Sequence, residues 1–262
     1  LSVATLNQID LDQSVYWHDP GFTTPYAAGT GIVQFGANHM LTFGNVLQYE
    51  KNQPWTVFGV IQMFGQNINA EVLFTNATPD SKACCYEYWV DASGKMRVRL
   101  IHNYAAAQYF GVVGDPPGGY LIDGQKHMIA ASYDGSYDGS DASCLSSVKM
   151  YVDGQLLTNT LEINGLGSLS IIDPAQNFTV GNQAPGGPNV CGPLCFFQLD
   201  NVVRSGSYIA AYVPGSSTPL PPNDPTNTKM RVMFTEGTGT SVADTSASAF
   251  TGTITNAYLW VP

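Results

Sequence analysis

Charge is scarce in this chain: Asp, Glu, Lys and Arg make up only 11% of its 262 residues, against roughly 25% in an ordinary soluble protein. Basic residues are scarcest, at 10 Lys and Arg against 20 acids, for a formal net charge of −10. A nucleic-acid binder needs Lys and Arg to displace counterions from phosphates, so that class is excluded, and docking to an anionic membrane with it. No apolar run approaches the ~20 residues that a membrane span requires. Leu1 to Asp12 carries neither a basic leader nor an apolar h-region, and does not read as a signal peptide. A sustained helical stripe is also missing, since Ser207 to Val213 has room for only a turn or two.

What is present is a core-forming, polar-surfaced composition, with 44% hydrophobic residues, 27 Gly, 14 Tyr and 12 Phe. With so few charges, Ser, Thr, Asn, Gln, Gly and Tyr must cover the surface. The five cysteines are Cys84, Cys85, Cys144, Cys191 and Cys195, and the odd count leaves at least one without an intramolecular partner. Cys191 and Cys195 bracket Gly-Pro-Leu, a spacing that can close a small disulfide loop. Adjacent cysteines such as Cys84 and Cys85 rarely ligate one metal, so buried thiols or a Cys191–Cys195 disulfide are expected over a zinc site.

Period-two alternation in short runs dominates the pattern. In Lys95 to His102, Met96, Val98 and Leu100 face one way, and Lys95, Arg97 and Arg99 the other. Ser147 to Asp153 alternates in the same manner. Further strands are expected at 31–35, 40–43, 56–64, 71–75, 85–91, 127–133, 178–181, 196–203, 229–234 and 253–261. Asp153-Gly154 is a hairpin signal, because a type I′ turn needs positive φ at both central positions. Many short strands with regular turn signals make the chain all-β. Pro214 to Thr228, with five prolines, reads as an extended, solvated linker. The expected organisation is an N-terminal extension over 1–30, a sandwich over 31–213, a linker over 214–228, and C-terminal strands over 229–262. The last segment is too short to fold alone, and completes this sandwich or a neighbour's.

Several segments, in order, resemble the laminin-G-like branch of the concanavalin A-like lectin/glucanase superfamily. Gly31 to Gly44 is similar to its opening "FDG-x-x-D-Y-V-x-x-G" pattern, and Trp55 to Ile61 to its "F-T-V-x-x-W" strand. Asp123 to Gly135 resembles "G-x-W-H-H-V-A-x-T-Y-D-G", with Lys126 at the Trp position. Val148 to Gly154 resembles "x-L-Y-V-D-G", Phe178 to Gly181 "L-x-I-G", and Phe197 to Arg204 the late "G-x-I-D-D-V-R" strand. Val232 to Asp244 resembles the family's first strand, "F-x-E-G-x-G-x-x-x-x-D", yet lies near the C-terminus, as in a circularly permuted or strand-exchanged domain. The resemblance implies a two-sheet antiparallel jelly-roll sandwich, often sugar-binding and sometimes calcium-dependent.

Sandwich glycosidases of the superfamily alternate acids along one strand, because two carboxylates must flank a glycosidic bond. Glu50, Glu71, Glu87, Glu162 and Glu236 are scattered, and His18, His39, His102 and His127 show no nucleophile-elbow or H-E-x-x-H spacing. Calcium, the one cofactor expected, would take Asp134, Asp138 and Asp141 from a Gly/Ser-rich loop; the plainer reading is a solvated turn. For sugar, pairing residue 90 with 95 across Ala92-Ser93-Gly94 sets Tyr88 opposite Arg97 and Tyr86 opposite Arg99 on an outward ladder, with Trp89 in the core. Flat rings suit the apolar faces of sugars, and Arg supplies forked donors. An odd-length turn would shift that register and destroy the ladder. The sequons at Asn76 and Asn177 are compatible with glycosylation.

The expected protein is therefore a non-catalytic, lectin-like surface protein with an adhesion or virion-associated role. Its expected partners are a glycan or cell-surface polysaccharide and further copies of itself or a virion, and its expected location is extracellular or on a virion surface. A secreted carbohydrate-binding module is the alternative, followed by a polysaccharide-degrading enzyme.

Overall fold

A computed structural model describes residues 32–35, 40–64, 71–75, 85–91, 93–116, 121, 123–173, 176–181, 192–213, 220–255 and 259–261. The extension over 1–30, Cys84, Cys191 and the Asn76 sequon lie outside them. In chain order the strands begin with β1 (Ile32–Phe35), β2 (Met40–Thr42), β3 (Trp55–Phe64), β4 (Glu71–Thr75), β5 (Cys85–Val90) and β6 (Met96–Asn103). Next come β7 (Gln108–Gly114), β8 (Asp123–Tyr133), helix α1 (Asp141–Ser147), β9 (Val148–Val152), β10 (Gln155–Leu156) and β11 (Asn159–Asn164). The chain then runs through β12 (Thr179–Val180), β13 (Gly192–Asp200), helix α2 (Gly206–Ala210), β14 (Thr228–Val232), β15 (Ser241–Ala243), β16 (Thr251–Thr255) and β17 (Leu259–Val261).

These strands form two sheets, antiparallel throughout the described pairings. The first runs β10-β9-β8-β3-β13-β1-β17, with β14 end to end with β1 along the same edge of β13. The second runs β11-β7-β6-β5-β4-β12-β2-β16-β15. Buried side chains from both sheets meet between them, and Trp55 sits in that core. Its ring lies 6.0 Å from Phe74, 5.9 Å from Tyr86 and 5.9 Å from Tyr133. Burying one such side chain stabilises by roughly 1.5–3 kcal/mol.

The outer face of the first sheet carries a smaller apolar cluster: Phe58, Val60, Met128, Ala130, Tyr151, Cys195, Phe196 and Ile209. Helix α2 covers it, started by Ser205, whose hydroxyl accepts from Tyr208 N. Leu220 packs on the same cluster and Pro221 is buried, so residues 220–228 are not a solvated linker. They are held by Arg231, whose Nη1 donates to the Pro221 carbonyl, and by Arg204, which bonds Asp224 at 2.9 Å and the fully buried Asp200 at 2.7 Å.

The expected turn at Asp153-Gly154 forms between β9 and β10, with φ of +45° and +75°. Cys195 corrects the disulfide expectation: it carries a free, buried thiol. The strand aims it into the apolar cluster, where burial pushes its pKa up to about 11 and keeps it inert.

Candidate functional site

The turn joining β5 to β6 decides which side chains reach the second sheet's outer face. Asp91 N donates to the Lys95 carbonyl at 2.8 Å, so the loop between them is three residues long, closed by Gly94 at φ +79°. Asp91 Oδ1 accepts from Ser93 N at 2.9 Å, Lys95 N at 3.1 Å and the Ser93 hydroxyl. Val90 therefore pairs with Met96, Trp89 with Arg97, Tyr88 with Val98, Glu87 with Arg99 and Tyr86 with Leu100. The expected register is off by one, and the expected ladder is corrected with it.

Tyr86 and Tyr88 are fully buried between the sheets. The Tyr86 hydroxyl donates to the Leu47 carbonyl at 2.5 Å, and burial holds the Tyr88 phenol well above its usual pKa. Arg97 and Arg99 do face outward, but with Trp89 and Glu87 beside them. Their guanidinium carbons lie 5.3 and 4.8 Å from the Trp89 ring. Arg99 also lies 5.1 Å from the Tyr104 ring and 5.4 Å from that of Tyr109. Those two rings, on the turn between β6 and β7 and at the start of β7, stack with centroids 5.1 Å apart. Each such cation–π contact is worth about 0.5–2 kcal/mol, depending on how far it is desolvated.

Three carboxylates complete the cluster. Arg97 donates through Nε and Nη2 to Asp91 Oδ2 at 2.9 and 2.8 Å, and its Nη1 lies 3.1 Å from Glu162 Oε1. Arg99 donates through Nε to Glu162 Oε2 at 3.0 Å and through Nη2 to Oε1, while its Nη1 lies 3.6 Å from Glu87 Oε2. Glu162 reaches this position because β11 is irregular between Leu161 and Ile163, where it pairs with β7. The bulge turns Glu162 over Gly111, the partner of Arg99. Burial opposes the charge on Arg99, but the hydrogen bonds and charge of Glu162, with the charge of Glu87, outweigh it and raise the guanidinium pKa. Burial likewise opposes the charge of Asp91, and its bonds from Ser93, Arg97 and Lys95 hold its pKa low. Trp89 Nε1 is buried without a hydrogen-bond partner among the described residues.

The exposed parts of this surface are Tyr104, at 44%, and the edges of Arg97 and Glu162, whose side chains are 23% and 17% exposed. An aromatic face beside a charged hydrogen-bonding network can take a ligand that is apolar on one side and hydroxylated on the other. Sequence reasoning missed Trp89, Tyr104, Tyr109 and Glu162. The Asp91-x-Ser-Gly-Lys95 turn was the one signal that could have recovered the register.

The three acids of the expected calcium loop all serve the loop's hydrogen bonds. Asp134 Oδ1 accepts from Ser136 N at 2.9 Å, Asp138 Oδ1 from Ser140 N at 2.8 Å, and Asp141 Oδ1 from Asn164 Nδ2 at 2.9 Å. Each carboxylate closes its own turn or ties it to β11, and among the described residues no three His, Cys, Asp or Glu side chains converge as a metal site. Ser140, whose hydroxyl accepts from Ser143 N, caps α1 where a plain loop was expected.

The fold is similar to that of solved structures. A Bacteroides ovatus protein to which carbohydrate binding has been ascribed aligns over 90% of this chain, with a TM-score of 0.56 and 14% identity. This chain has the fold of a two-sheet antiparallel jelly-roll sandwich. The jelly roll spans 60% of the length of the Bacteroides protein. It is also similar to the CBM40 of a Ruminococcus gnavus IT-sialidase bound to α2,3-sialyllactose, with a TM-score of 0.44, 12% identity, 62% of this chain and 83% of that one. Domains LG4-5 of the mouse laminin α1 chain give 0.45, 14% identity, 65% of this chain and 42% of that one. No family model and no curated protein sequence matches.

Proposed function

We propose that this jelly roll is a non-catalytic glycan-binding unit presented on an extracellular or virion surface. The outward cluster of Trp89, Arg97, Arg99, Tyr104, Tyr109 and Glu162 carries the reading. It sets aromatic rings beside hydrogen-bonding groups held rigid by ion pairs, on the kind of firm strand scaffold that a preorganised site needs. Fold kinship with a protein described as carbohydrate-binding supports it. Glu87 and Glu162, the pair that a glycosidase would need, are both engaged by Arg99, an arrangement that favours holding over bond cleavage. The low charge and polar, uncharged surface support an exposed, assembled protein.

The test is affinity electrophoresis through gels containing polysaccharides, comparing the parent with Arg97→Ala and following released reducing ends. Retardation of the parent, weakened in the variant and without reducing ends, is the expected result. Release of reducing ends would make the protein an enzyme, and free migration through every polysaccharide would remove the glycan reading. A solution mass that is a multiple of 28.1 kDa is expected of the assembled form.

A further inference from the structure

Resting on that reading, we infer that the ligand is an uncharged glycan, with one sugar ring seated on Tyr104 and a hydroxyl donating to Glu162. Arginines on a sugar-binding face ordinarily point to an acidic sugar, because a guanidinium fork matches a carboxylate. Here the forks are already filled. All three nitrogens of Arg97 face Asp91 or Glu162, and all three of Arg99 face Glu162 or Glu87. The carboxylates of Asp91, Glu87 and Glu162 outnumber the two guanidiniums by one, so the cluster is acidic as it stands. A sugar carboxylate could reach an arginine only by displacing one of these acids. Glu87 and Glu162, at 6% and 17% side-chain exposure, would then be left desolvated and unpaired. The overall charge of −10 adds repulsion at longer range.

The same arrangement suits a neutral sugar. Among the described residues, Glu162 Oε2 accepts only from Arg99 Nε, and its remaining lone pair can accept from a sugar hydroxyl. Tyr104 offers a ring that is 44% exposed, braced from behind by Tyr109 and Arg99. That brace fixes the ring before a ligand arrives, which lowers the entropy that binding must offset. The arginines are thus positioning residues for the acids and rings, and not the ligand's own partners.

The experiment is a glycan array carrying neutral hexose and N-acetylhexosamine chains beside sialylated and uronate-containing ones, probed with the full chain at low and high salt. Binding to neutral chains, little changed by salt and reduced about tenfold or more by Tyr104→Ala, is the expected result. Preference for acidic chains, or binding that collapses with salt, would overturn the ligand class while leaving glycan binding intact. Binding to no chain would overturn both. Two variants supply a gain of function: Glu162→Gln and, should that variant fold poorly, Asp91→Asn. Each removes a competing acid and frees a guanidinium, so new binding to sialylated or uronate chains is expected, and unchanged selectivity in a folded variant counts against the proposal.

Discussion

Gly111 has no side chain to offer, and the Arg99–Glu162 pairing depends on that. A Cβ built there would lie 2.5 Å from Glu162 Oε2 and 3.3 Å from Arg99 Cγ. Gly111→Ala should therefore push the carboxylate off the guanidinium, at a cost of about 1–3 kcal/mol for a partly buried charged hydrogen bond. Combining it with Glu162→Ala should cost clearly less than the sum of the two single changes, because both remove one interaction. Urea denaturation of the parent, both single variants and the double variant gives the coupling directly, and simple additivity would mean that the methyl is accommodated elsewhere. Tyr88 and its neighbour Trp89 make a second contrast. Tyr88→Ala hollows the inter-sheet core and should destabilise by about 3–5 kcal/mol. Trp89→Ala strips the outer face and should cost markedly less stability while weakening retention on polysaccharide gels. The reverse ranking would restore the register with residue 90 opposite 95.

Elements built on clean alternation were legible in the sequence, and those that break it were not. β6 and β9 appear where Met96-x-Val98-x-Leu100 and Val148-x-Met150-x-Val152 place them. β7 escaped notice because nearly all its residues are buried on either face, so Gln108 to Gly114 shows no period of two. β11 escaped because the bulge at Glu162 interrupts its pattern. The ligand face was half legible for a related reason: Arg97 and Arg99 follow from alternation in β6, but their partners follow from the length of one turn. A single residue there exchanges Tyr86 and Tyr88 for Glu87 and Trp89. His127 on β8 shows an element-scale device that alternation also hides. Its Nδ1 lies 2.7 Å from Asp153 Oδ2 and its Nε2 3.0 Å from Asp123 Oδ1, while Asp153 Oδ1 accepts from Met128 N at 2.8 Å. Burial alone would lower the imidazole pKa, but the hydrogen bonds and charges of Asp153 and Asp123 raise it above the ordinary value of about 6.5. The stabilisation is thus fully present below about pH 6.5, where the unfolded chain also binds the proton, and is lost as pH rises through the folded value. The melting temperature should fall over that window in the parent and fall less in His127→Gln. Parallel profiles would show that other groups set the slope.

At the scale of the whole molecule, the C-terminal residues are part of this sandwich. β14 pairs with β13 through Phe197↔Val232 and Leu199↔Met230, β16 with β2 through Ile254↔Leu41, and β17 with β1. In this chain, strands β14, β16 and β17 thus reach both sheets of the sandwich. Met230, Val232, Phe234, Val242 and Ile254 bring buried side chains to the main core. At roughly 1.5–3 kcal/mol each, their burial rivals the net stability of about 5–15 kcal/mol of a typical domain. Deleting residues 229–262 should accordingly give a chain without a cooperative melt, and not a smaller stable domain. Because the closing strands are intramolecular, the melting temperature of the intact chain should also stay constant on hundredfold dilution, even where the protein assembles through other surfaces. A midpoint that falls with dilution, together with a truncated chain refolded by adding the separate 229–262 peptide, would place those strands in a neighbour's sheets instead.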